Sequence, residues 1–91
     1  MIVAAIRHPV QDYDKWKAGY DAFPPTTGGG AMFARVNRSV DDPNVVAVVA
    51  GFASLDAAKA FLDNPDLKTK MGEAGVIGAP RIELYEEVDV I

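Results

Sequence analysis

The sequence contains no cysteine, which excludes disulfides and thiolate metal sites. It contains one histidine, His8, so a histidine-rich metal centre is excluded too and only one imidazole is left for proton chemistry. Its 9 basic residues form no run, and the net charge is -4; a nucleic-acid partner, which needs a concentrated basic face, is not expected. No apolar run approaches the roughly 20 residues of a membrane span, so no membrane partner is expected either. The opening MIVAAIRHPV lacks a basic leading region and a cleavage-like stretch, and reads as a strand rather than a signal peptide. The expected location is the cytoplasm. Absent too are a Ser-His-Asp order, a paired-histidine helix and a dinucleotide fingerprint.

What is present is a chain of 91 residues, 49% hydrophobic and 24% charged, the balance of one globular domain with no linker and no repeat. Ile2 to His8 reads as a strand stopped by Pro9. Asp12 can cap the helix that follows, on which Tyr13, Trp16, Tyr20 and Phe23 recur at helical spacing. Pro24 and Pro25 end it. A second strand is expected from about Ala31 to Val40 and a third from about Val45 to Phe52. Ser54 caps a helix with Leu55, Ala58, Phe61 and Leu62 inward. Asn64 and Pro65 restart it with a stripe of Leu67, Met71 and Ala74, and Gly75 ends it. Arg81 to about Val90 is the last strand.

The order β-α-β-β-α-β with right-handed crossovers predicts a ferredoxin-like α+β domain: a four-stranded antiparallel sheet with helices on one face. The first and third strands belong in the centre, and they are the two that are apolar at nearly every position. The second and fourth alternate, as edge strands do. Strands apolar on both faces need both faces covered, and helices on one face cover only one. A second copy of the chain is the nearest source of the missing layer, so a homodimer is expected.

Few stretches look chemical. In RSVDDPNVVAVVAGF, the oxygens of Asp41, Asp42 and Asn44 suggest either a cation loop or a hairpin tip. A calcium loop needs further ligands downstream, yet only Val, Ala and Gly follow before Phe52. Asp-Pro-Asn is good turn chemistry, and Asn tolerates a positive φ, so a turn is expected and no metal. The TTGGG loop leads out of a helix, the wrong polarity for a phosphate cradle; as a connection at a cavity mouth it could act as a lid. The aromatic stripe reads as core, with ligand stacking by Trp16 as the alternative. His8 is placed at the rim of a pocket. Arg35 and Asn37 share a strand face with Phe33, and Glu83 shares one with Tyr85; these groups either bridge subunits or line a cavity.

The segments YDKWKAGYDAF, RSVDDPNVVAVVAGFASLDAAKAFLDNPDLKTKMGEAGVIG and LYEEVD resemble small bacterial proteins of the dimeric α+β barrel superfamily. Within it the likeness is to those grouped with antibiotic-biosynthesis monooxygenases or called cyclases. The resemblance implies two sheets from two chains closing a barrel, with a cavity between sheet and helices for a small aromatic ligand. It implies oxidation of polyketide-like phenols without metal, flavin or other cofactor. In that reading His8 or Tyr85 would handle protons, Arg35 and Asn37 would stabilise a phenolate, and Trp16 and Phe33 would contact the ring. Haem-degrading members use an asparagine on the first strand and a tryptophan and a histidine on the second helix; this chain has none of these there. A non-catalytic binding or assembly protein of the same fold is the alternative.

Overall fold

Three side chains decide where the helices begin, each by accepting from amides that a first turn leaves free. In the computed structural model, which describes residues 1–91, Asp12 accepts from the amide of Asp14 and opens α1 (Tyr13–Ala22). Ser54 accepts from Ala57 and opens α2 (Leu55–Asp63). Asn64 accepts from Asp66 and, with Pro65 in the first turn, opens α3 (Pro65–Glu73). Gly75, at φ 90°, turns the chain out of α3 in the left-handed conformation that only glycine adopts freely. No helix is long and apolar enough to cross a membrane.

The strands β1 (Ile2–Pro9), β2 (Phe33–Arg38), β3 (Val45–Phe52) and β4 (Arg81–Glu86) form one antiparallel sheet in the order β2-β3-β1-β4. The two apolar strands are central, as expected. Their register sets Ala4 opposite Ala50, Ile6 opposite Val48 and His8 opposite Val46, all on the face under the helices. These six side chains are buried there with Phe52, Trp16 and Ala58. The alternate residues Val3, Ala5, Ala47 and Val49 point to the other face, where this chain supplies no layer.

Several boundaries differ from the expected ones for local reasons. β2 is shorter at both ends, because the Ala31 amide bonds to Pro25 O and the Ser39 hydroxyl already accepts from Asp41 and Asp42. β4 stops at Glu86 rather than near Val90. Its partner β1 starts at Ile2, and the last bond between them runs from the Glu87 amide to Met1 O. Leu55 and Phe23, expected on inward faces, are exposed; Phe23 caps the end of α1, past its last helical turn.

Candidate functional site

Between the sheet and the helices lies a cavity of about 80 Å³. Its floor is Ile6 and His8 from β1 and Val48 from β3. Trp16, Gly19 and Tyr20 of α1 form one wall, and Phe61, Leu67 and Met71 of α2 and α3 form the other. Phe23 and Lys70, both solvent-exposed, stand at the mouth, with the Lys70 ammonium 4.0 Å from the centre of the Phe23 ring. Gly19 lets the walls approach: a Cβ there would come within 3.1 Å of the Ala74 Cβ. The TTGGG loop packs beside the mouth, where a Cβ at Gly29 would sit 3.0 Å from the Phe61 ring.

His8 is the buried polar residue of this cavity. It is not at a rim, as its position near the end of the strand suggested, but 1% exposed. Trp16 packs edge-to-face on it at 5.6 Å, and Tyr20 stacks on Trp16 at 5.1 Å. The Nδ1 of His8 is buried without a hydrogen-bond partner. Burial lowers the pKa of His8 below its ordinary value, and the nearby backbone of His8 and Pro9 opposes this more weakly. The imidazole is therefore neutral at pH 7, able to donate or accept one hydrogen bond. Burial acts on Tyr20 in the other sense, raising its pKa and keeping the phenol protonated.

The other candidates stand elsewhere. Phe33, Arg35 and Asn37 of β2 and Tyr85 of β4 lie on the opposite face of the sheet, in register with Gly51, Val49, Ala47 and Val3. The Phe33 ring lies across Gly51, occupying the space a Cβ would need, and Arg35 stacks on that ring at 4.4 Å. Asn37 donates to Ala47 O at 3.3 Å. The Glu83 carboxylate beside Tyr85 raises its pKa and keeps the phenol protonated, so it is not available as a base. The thickness of the sheet thus separates His8 and Trp16 from the other four; within one protomer they do not make one site.

Sequence reasoning missed Gly19, Phe61, Met71 and Lys70 as cavity residues. A glycine inside a helix, costing about 1 kcal/mol against alanine, was a usable sign of close approach at Gly19. Nothing in the sequence singles out Lys70. The hairpin oxygens are engaged in structure: Asp42 Oδ1 accepts from the Asn44 amide and Asn44 Oδ1 from the Tyr13 amide. Asn44 needs no positive φ, since glycines alone adopt one. No three histidine, cysteine, aspartate or glutamate side chains converge anywhere as a metal site would require.

No family model and no curated protein matches the sequence. Solved structures do match its shape. SnoaB, a cofactor-independent oxygenase from Streptomyces nogalater, superposes with a TM-score of 0.75 at 14% identity, over 99% of this chain and 95% of that one. Two proteins provisionally assigned as antibiotic biosynthesis monooxygenases also superpose. The one from Deinococcus radiodurans gives 0.77 at 14% identity, covering 100% and 96% of the two chains. The one from Caulobacter crescentus gives 0.70 at 23%, covering 97% and 90%. Over nearly its whole length, the chain has the ferredoxin-like α+β fold that these three proteins share.

Proposed function

We propose that the protein is a cofactor-independent monooxygenase or cyclase-like enzyme acting on a hydroxylated aromatic compound, and that it works as a cytoplasmic homodimer. The observation that carries this reading is the apolar cavity holding one neutral, unpartnered imidazole, in a fold shared with a cofactor-independent oxygenase. Trp16 and Tyr20 hold the ring, and His8 accepts the proton of a phenolic hydroxyl. An imidazolium is costly in that place, but it forms beside the phenolate that offsets its charge. The electron-rich anion then reduces dioxygen, one oxygen atom entering the product as a carbonyl and the other leaving as water.

Arg35, Asn37, Phe33 and Tyr85 belong, in this proposal, to the subunit interface. There the open face of the sheet, apolar along Val3, Ala5, Ala47 and Val49, meets its copy. Oxygen uptake with anthrone-type and simpler phenols tests the activity; uptake by the wild type and its loss in His8→Phe is the expected result. The isolation of His8 from any carboxylate partner favours a second reading, binding without turnover. Ligand binding with no oxygen consumption across the panel would select it.

A further inference from the structure

Two nitrogen-bearing side chains line the cavity, one buried at its closed end and one exposed at its mouth. His8, at the closed end, has a buried Nδ1 that meets no hydrogen-bond partner. Lys70, at the mouth, has no carboxylate within ion-pair distance, although Asp66 lies one helical turn before it; the ion pairs of this chain are Lys17–Asp21 and Arg81–Glu83. Its ammonium instead rests over Phe23 at 4.0 Å. Between these ends the lining is Trp16, Tyr20, Phe61 and Met71.

The two ends suit different chemical groups. A carboxylate beside His8 would give up its hydration where charge is already disfavoured. A neutral hydroxyl loses less, and it can donate to or accept from an imidazole nitrogen. Lys70 stays in contact with water and can exchange a cation–π contact for a charge-assisted hydrogen bond to an anion. Space sets the ring count. A cavity of about 80 Å³ is smaller than the roughly 150 Å³ known to enclose benzene. Open at its mouth, it takes at most one ring, with a substituent reaching outward, and not three fused rings.

We propose that the cavity binds a single-ring aromatic acid bearing a hydroxyl group, of the hydroxybenzoate class, with the hydroxyl on His8 and the acid group on Lys70. This rests on reading the cavity as the ligand site, and it narrows the aromatic compounds that site accepts. Lys70 becomes the residue that selects for an anion.

Trp16 is the one tryptophan of the chain and lines the cavity, so its fluorescence reports occupancy. The full-length protein is titrated with 4-hydroxybenzoate, its methyl ester, benzoate and phenol. Loss of either polar contact should weaken binding about tenfold relative to 4-hydroxybenzoate. Lys70→Met should abolish the preference for acid over ester while keeping that for hydroxybenzoate over benzoate; His8→Phe should do the converse. Lys70 is exposed, so its variant folds whether or not His8→Phe does. Equal affinity for acid and ester, a preference that survives Lys70→Met, or no binding by any of the four compounds would each overturn the proposal. The activity is judged separately. Hydroxybenzoate binding with these preferences but without oxygen uptake defeats the oxygenase reading alone. Turnover of an anthrone without hydroxybenzoate binding defeats the present inference alone.

Discussion

The two faces of the sheet are built from the same kinds of side chain and meet different surroundings. On β1 and β3 the face under the helices carries Ala4, Ile6, Val48 and Ala50, each at most 4% exposed. Their neighbours Val3, Ala5, Ala47 and Val49 on the other face are only half-buried. Composition does not distinguish the faces; the layer above them does. The edges extend the comparison, because α2 packs over β1 and β3 while β4 is left exposed on both sides. Ile82 and Leu84, which face the helix side, remain 40% and 38% exposed. Apolar side chains on an uncovered sheet face are a demand for a partner, and half-exposed apolar edge residues repeat it.

Placing a carboxylate on each face in turn is the sharpest way to break that comparison. Val48→Asp buries an unpaired charge under the helices and should cost about 3 kcal/mol or more, enough to unfold the chain in a urea titration followed by circular dichroism. Val49→Asp, one residue away on the open face, should leave the protomer folded. It should raise the dimer dissociation constant about a hundredfold, equivalent to about 3 kcal/mol at the interface, as measured by light scattering across a dilution series. Wild-type protein scattering as a monomer, or a Val49→Asp dimer as tight as wild type, would show that this face is not where two copies meet.

Smaller changes sharpen the division. Arg35→Ala removes the stacking on Phe33 and should weaken the dimer by about 1 kcal/mol, with cavity binding followed by Trp16 fluorescence unchanged. A loss of ligand affinity without a loss of dimer would return Arg35 to the site. On the covered face, His8 makes stability depend on pH. Burial holds its folded pKa below the ordinary 6.5, so as pH falls below 6.5 the unfolded chain takes up the proton first. Stability is therefore full above 6.5 and is lost as pH falls toward the lowered folded value. Thermal melts of His8→Phe should lack this part of the slope. Asp42→Ala, at the hairpin tip and on neither face, should cost about 1 kcal/mol or less, one turn bond.

The parts of the molecule legible in the sequence are those set by near neighbours. Asp12, Ser54 and Asn64 cap within three residues of themselves, and the uninterrupted apolar runs of β1 and β3 announced central strands before any pairing was known. The end of β4 was not legible, because it depends on where β1 begins, some 80 residues earlier in the chain. The candidate site divided for a similar reason. Alternation placed Arg35, Asn37 and Tyr85 on one face, but nothing local revealed that His8 has the opposite parity and lies beneath Trp16. Lys70 reached the cavity only through the packing of α3 beside α2, which no short spacing encodes.

The hairpin tip also bears on the order in which the chain assembles. Asn44 holds the Val10 amide with its carbonyl at 2.7 Å and the Tyr13 amide with its side chain at 3.2 Å, the latter across a separation of 31 residues. A hairpin such as β2–β3 closes locally, on the order of 1–10 μs. The start of α1, by contrast, gets this acceptor only when a much longer loop has closed. The Tyr13 amide of α1 thus gains this acceptor only when the hairpin tip meets the end of β1, although α1 comes first in the chain.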